Sequence, residues 1–364
     1  KIKHIGNITK EGLYIATGLA LLLWLLGYFG MKPFLLYLNM EPAAYEICVF
    51  YLKAFSIGLF PILWGCTLRN IIDSHGLTHF SMAIVVFGFV LNVFFNYALI
   101  FGHFGLPELG GIGAGYATAI TCWSNFILYS LVLIFHPTFK EYNIFSNWKL
   151  PSWTYIREQL QIGLPIGFSI FFETSIFSIA GLLMVQFGTA VVAAHQSALS
   201  FTNIFYCFPL SISMAATIAV AYELGAGKPK EARRYAYIAR IFALIVATLL
   251  CSYSFTHMEN IAGLFTSDPV VFDLIMSFLS YAVFFAVIDA FGTPLQGILR
   301  AYKDVRIISY ISLFSYWGVC FPVAYILSRM PEYGPYGVWI GLLSSVSVAG
   351  ILFTARAWYI QHKR

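Results

Sequence analysis

The chain has 364 residues, 60% of them hydrophobic and only 10% charged, with a net charge of +5. A soluble domain carries about 25% charged residues, so this composition argues against a soluble enzyme and for a polytopic membrane protein. No basic cluster is interleaved with base-reading polar side chains, which argues against a nucleic-acid partner.

Apolar runs divided by polar or Pro/Gly punctuation predict ten spanning helices. They cover 11–30, 43–68, 79–102, 112–135, 161–186, 189–224, 235–256, 270–300, 306–328 and 336–358. Pro209 falls inside the sixth and is expected to kink it, because it removes a backbone N–H. The stretch 137–160 carries His136, Lys140, Glu141, Lys149, Arg157 and Glu158 in or beside it and reads as a cytoplasmic loop between two halves. Of the 21 Lys and Arg, all but Lys32, Lys53 and Arg329 fall on one side of the ten-helix arrangement. The positive-inside rule then puts both ends of the chain in the cytoplasm. Lys53 lies within a span, where it snorkels, pairs or faces a cavity. The six cysteines all sit in apolar segments without a CxxC pair, so they read as small buried hydrophobes.

A weak repeat runs through the chain. LRNIID at 68–73 matches LRAYKD at 299–304, and LNMEPAAY at 38–45 resembles FTSDPVVF at 265–272. Gly113 and Gly337 head the last helix of each half. An even number of crossings separates the copies, which makes a parallel repeat about an axis along the membrane normal. The second half holds two helices for which the first has no counterpart. The expectation is an all-α bundle of two pseudo-symmetric lobes, with ten helices present of twelve and about 80 residues preceding Lys1. Its parts are an N-terminal lobe over 1–136, the loop 137–160 and a C-terminal lobe over 161–364.

Two acids lie well inside spans. Glu173 sits in FFETSIF and Asp289 in VIDAF. A carboxylate at bilayer depth costs at least a few kcal/mol unless it is paired, protonated or cation-bound. The fold itself does not demand an acid at 289, because its counterpart in the repeat is Gly58. Two carboxylates close together in low dielectric hold a proton or a cation such as Na⁺, which is the chemistry of a reversible coupling site. Hydrogen bonding of Glu173 to a neighbouring helix is the plainer alternative. Asp73 and Asp304 sit beside basic residues at helix ends and read as loop anchors.

FFETSIF around Glu173, VVAAHQSALSF at 191–201, ELGAGKPKEA at 223–232 and IDAF with GILRAYKD through 289–304 occur in this order. With LNVFFNY and GLPELGGIGAGYATA at 91–119, they make the chain resemble the multidrug and toxic compound extrusion (MATE) family in its NorM-like branch. The resemblance implies a secondary efflux transporter of the plasma membrane, a monomer, exporting amphipathic cationic drugs in exchange for Na⁺ or H⁺ and needing no cofactor. It implies that Glu173 and Asp289 are the cation-coupling carboxylates, with Phe285 one turn before Asp289. Where Na⁺ is the coupling ion, these two acids would be its ligands. It places Gln196 and Asp268 near the bound drug, beside Glu173 and Asp289. Asn92, Asn96 and Thr118 fall at a second, N-terminal cation site.

Three departures stand out. The acid that the family carries on its first helix is absent, position 285 is Phe where Tyr is expected, and TIAVAYELG lacks the basic residue and first Gly common before LG. Asn92 and Asn96, four apart on one helix face, are also explained by interhelical hydrogen bonding. His195 reads as a satisfied packing group. The alternatives are a lipid-linked oligosaccharide flippase, whose cavity would be strongly cationic, and a membrane-embedded enzyme. No HExxH or GxSxG spacing supports the enzyme.

Overall fold

In a bilayer every backbone N–H and C=O must find its partner within the protein, so a chain this apolar is driven into helices. The computed structural model describes residues 2–37, 42–146, 148 and 150–363, and those residues are all-helical apart from their turns. Nine helices among them are long and apolar enough to cross a membrane, and a bent pair makes a tenth span. The ten predicted segments all fall on these elements. The residues separate into two compact units, Lys1–Gln159 and Leu160–Arg364.

The first unit contains α1 (Ile2–Tyr37), α2 (Pro42–Ser56), α3 (Leu59–Ser74), α4 (Thr78–Phe101), α5 (Gly111–Phe135) and α6 (Pro137–Lys140). Where one helix was expected over 43–68, α2 and α3 meet at a 41° bend. The break falls at Ile57 and Gly58, and Pro61 sits in the first turn of α3, where its missing N–H costs nothing. α4 stops at Gly102, whose φ of +71° suits the left-handed end of a helix. α5 packs on α2, α3 and α4, and the core holds Leu68, Ile72, Ile84, Tyr129 and Leu133.

The loop expected over 137–160 is shorter than predicted. Pro137 opens α6, and α7 (Trp153–Met184) already begins at Trp153. Arg157, Glu158, Gln159 and Leu160 are good helix formers, which lets the helix start well before the apolar run. The chain ahead of α7 is strapped to the start of α1. Lys10 Nζ donates to the Ser146 carbonyl at 2.6 Å, the Ser152 N–H donates to Glu11 Oε1 at 2.7 Å, and Gln159 Nε2 donates to the Ile8 carbonyl at 2.8 Å.

The second unit takes in α7 from Leu160, then α8 (Thr189–Gly225), α9 (Pro229–Thr256), α10 (Met258–Phe265) and α11 (Pro269–Ala301). After these come α12 (Val305–Ser312), α13 (Phe321–Ser328) and α14 (Tyr336–Lys363). α8 runs through Pro209 as one helix. α11 is the centre of this unit, packed by α8, α9 and α14. Its side chains from Phe285 to Leu299 are almost all buried, as expected for a helix apolar on every face. The span expected over 306–328 is interrupted by a π-helix at Leu313–Cys320, between α12 and α13. Asp304 at the head of α12 is clamped by Arg356 of α14, Nε to Oδ2 at 2.6 Å and Nη2 to Oδ1 at 3.3 Å. In the first unit Arg69 pairs with Asp73 at 3.3 Å.

Candidate functional site

Asp289 is 7% exposed and lies in the middle of α11. Four residues on stands Thr293, then Gln296 and Arg300, at i, i+4, i+7 and i+11. That spacing puts all four on one face of the helix and makes a polar stripe on an apolar element. Pro294 interrupts the same stretch. Having no N–H, it leaves the Ala290 carbonyl without its helical partner and adds one more free oxygen beside Asp289. Thr293 Oγ1 is buried, within reach of the Asp289 carboxylate, and makes no well-formed hydrogen bond.

Glu173 projects from the half-buried side of α7. The Tyr206 hydroxyl of α8 donates to Glu173 Oε1 at 3.4 Å. The Gln296 side-chain amide reaches the same carboxylate. Gln296 is held in turn by Arg300, whose Nη2 donates to Gln296 Oε1 at 3.3 Å. Glu173 and Asp289 lie within electrostatic reach of one another and share no hydrogen bond. Tyr316, 2% exposed and carried by the π-helix, stands within electrostatic reach of both. Trp317 beside it donates from Nε1 to Ser175 Oγ at 3.1 Å, tying the π-helix to α7 two residues from Glu173. π-Helical turns often sit at functional sites because they re-aim side chains. Phe285, one turn before Asp289, presents its ring to the edge of Phe177 at 5.9 Å.

The sequence therefore named both acids and Phe285 but missed Tyr206, Thr293, Gln296, Arg300 and Tyr316. The α11 stripe was the available signal. Tyr206 and Tyr316 come from other helices, and no spacing along α7 or α11 points to them.

The remaining expected residues lie apart from this cluster. Asp268 is exposed and caps α11, accepting the Val270 N–H on Oδ1 at 2.9 Å. Gln196 is exposed near the start of α8. In the first unit, Asn96 Nδ2 donates to Asn92 Oδ1 at 2.8 Å, and Asn92 Nδ2 donates to Thr121 Oγ1 at 3.3 Å. The Thr118 hydroxyl donates instead to the Ala114 carbonyl of its own helix at 2.9 Å. Asn92 and Asn96 are thus brought together, and Thr118 is not joined to them. His195 is 1% exposed and packs edge-on to Trp339 at 5.5 Å, but neither ring nitrogen is hydrogen-bonded. It is a packing group, and the satisfied hydrogen bonds expected of it are not formed. Lys53 is exposed, with Nζ 5.3 Å from the Phe50 ring, and it lines an apolar cavity of about 750 Å³ with Trp24, Tyr28, Leu52, Phe55 and Leu59. Among the described residues no group of three or more His, Cys, Asp or Glu side chains is gathered for a metal.

The MatE family matches residues 1–98 and 165–326. A probable multidrug resistance protein NorM from Oceanobacillus iheyensis is 37% identical over 363 residues, covering 99% of this chain and 81% of the relative. The protein of the same name from Halalkalibacterium halodurans is 39% identical over 363 residues, covering 100% of this chain and 79% of the relative. Among solved structures, the eukaryotic MATE transporter AtDTX14 superposes with a TM-score of 0.86 at 22% identity, over 99% of this chain and 80% of that one. An outward-facing multidrug resistance MATE transporter superposes at 0.87 and 19% identity, over 100% and 82%. At those identities the structural likeness speaks for the fold alone.

Proposed function

Because the chain belongs to the MatE family of membrane transporters, we propose that it is a secondary efflux pump that exports amphipathic organic cations in exchange for Na⁺ or H⁺. It is a multi-pass membrane protein and a transporter, not an enzyme. The observation that carries the finer reading is the placing of Glu173 and Asp289 on neighbouring helices of one unit, without a direct ion pair to either.

Ionised, the two acids attract a cation into a low-dielectric setting, where charge counts for more than in water. A drug cation and the coupling ion then compete for the same negative charge, and whichever enters displaces the other. The Tyr206 hydroxyl and the Gln296 amide steady the Glu173 carboxylate. Thr293 Oγ1 and the Ala290 carbonyl offer neutral oxygens beside Asp289, which suit a hard monovalent ion. Drug selection by charge and apolar area gives broad specificity. Exposed Asp268 and Gln196, near the starts of α8 and α11, form an outer contact zone for the drug. The asparagine ladder of the first unit serves packing between α4 and α5. The pump sits in the bacterial inner membrane as a monomer with both ends of this chain cytoplasmic.

The test is efflux of a fluorescent monovalent cation from proteoliposomes under separately imposed Na⁺ and pH gradients. Wild type responds to one of the two gradients, and Glu173→Gln and Asp289→Asn respond to neither while inserting normally. Gradient-driven efflux at wild-type rates from both variants would overturn the assignment.

A further inference from the structure

We propose that Arg300 sets the charge capacity of the acidic pair at one, and so makes the pump select monovalent over divalent organic cations. This rests on the function proposed above, in which Glu173 and Asp289 hold the cation.

The internal repeat shows that Arg300 has been diverted from the role its position suggests. Its counterpart in LRNIID, Arg69, forms an i,i+4 ion pair with Asp73 at 3.3 Å. The equivalent acid in LRAYKD, Asp304, is taken by Arg356 at 2.6 Å. Arg300 is left in none of the ion pairs among the described residues, which are Arg69–Asp73, Arg234–Glu231 and Arg356–Asp304. Its Nε is buried without a hydrogen-bond partner. A guanidinium carries five donors and is costly to bury without an acid to face.

The acid it faces is Glu173. Gln296 stands between them, its oxygen turned to Arg300 Nη2 at 3.3 Å. That orientation leaves the amide nitrogen for the Glu173 carboxylate, which it reaches. The arginine therefore acts on Glu173 through a fixed amide, close enough to be felt and held back from closing a salt bridge that would remove the acid from use. The other groups facing the pair, Tyr206 and Tyr316, are hydroxyls. Arg240 does not contribute, since its guanidinium stands 5.8 Å from the Phe291 ring, on the far side of α11 from Asp289.

Two ionised carboxylates and one guanidinium sum to a single negative charge. One proton, one Na⁺ or one monovalent organic cation neutralises the cluster. A dication leaves a net positive charge in low dielectric, which is disfavoured. Without Arg300 the cluster carries two negative charges and the preference moves toward dications.

The experiment measures binding of tetraphenylphosphonium, a monocation, and methyl viologen, a dication, to the purified protein by equilibrium dialysis at one pH without Na⁺. Arg300→Gln is expected to raise the dication-to-monocation affinity ratio roughly tenfold, the scale of one partly screened unit charge. Arg300→Lys keeps the charge and is expected to keep the wild-type ratio. If Arg300→Gln does not fold, Arg300→Met keeps the apolar stem and is read on the same criterion. A ratio within twofold of wild type in the neutral variant overturns the proposal, as does an equal shift in Arg300→Lys. Failure of the underlying reading looks different: Glu173→Gln and Asp289→Asn would then bind both probes as wild type does.

Discussion

The contact between α8 and α11 beside the acidic cluster depends on one missing methyl group. A Cβ on Gly297 would lie 2.5 Å from Ser213 Oγ and 2.9 Å from the Ser213 carbonyl carbon, with the carbonyl oxygen closer still. The hydroxyl can rotate away, but the carbonyl belongs to the backbone of α8 and moves only if the helix moves. Gly297→Ala therefore forces the two helices apart at their crossing. Overpacking of this kind costs about 1–3 kcal/mol. The same shift stretches the bond from Thr217 Oγ1 to the Gly297 carbonyl, now 2.9 Å, whose loss adds about 0.5–1.5 kcal/mol. The sum is a destabilisation of about 2–4 kcal/mol. Gly181→Ala in α7 is the control, since nothing lies within 4 Å of its Cβ position. It should be neutral, or gain up to about 1 kcal/mol from helix propensity. Thermal unfolding in detergent, followed by tryptophan fluorescence, ranks the three proteins. The reasoning fails if Gly297→Ala melts with wild type. It fails equally if Ser213→Ala restores the stability of Gly297→Ala, because the clash would then lie with the hydroxyl and not the backbone.

Two further substitutions separate roles that a single residue can mix. Asp268→Ala removes the cap of α11 and should lower stability by about 1 kcal/mol, whereas Asp268→Asn keeps a capping oxygen and should not. If Asp268 also attracts drug cations, Asp268→Asn weakens binding of a fluorescent monovalent cation at unchanged stability; equal binding by Asn and wild type would confine the residue to capping. The Asp304–Arg356 pair is bidentate and partly buried, so a double-mutant cycle with alanine should return a coupling of about 1 kcal/mol that falls with added salt. Additive single mutants would show that the clamp contributes nothing to stability.

The spans were legible because a bilayer allows few alternatives to an apolar helix, and their order follows from punctuation. What escaped was set by packing or by residues far apart in sequence. The bend between α2 and α3 had a local signal in Gly58 and Pro61, but unbroken hydrophobicity on both sides masked it. The π-helix had none, since whether Leu313–Cys320 pairs at i+4 or i+5 is decided by what Tyr316 and Trp317 meet on other helices. Glu173 and Asp289 could be found because a charge in an apolar run is conspicuous. Thr293, Gln296 and Arg300 extend from Asp289 at helical spacing and were readable as a stripe, yet attention to acids alone passed over them. Tyr206 is one tyrosine among 23 in the sequence, and only the fold brings it to Glu173.

An i→i+5 helix takes up more residues per turn than an α-helix, so Leu313–Cys320 holds spare chain length inside a membrane span. Deleting one residue there would allow α-helical pairing to run on toward Ser328. It would also turn everything after the deletion by about 100° around the helix axis. Ala324 now packs where Gly341 of α14 has no side chain, its Cα 2.9 Å from where a Cβ would stand. After the deletion a larger neighbour, Val323 or Tyr325, would be turned toward that gap in place of Ala324. The span is thus intolerant of insertions and deletions although both lengths could be helical, and substitutions within it should be accepted far more readily than a change in residue count.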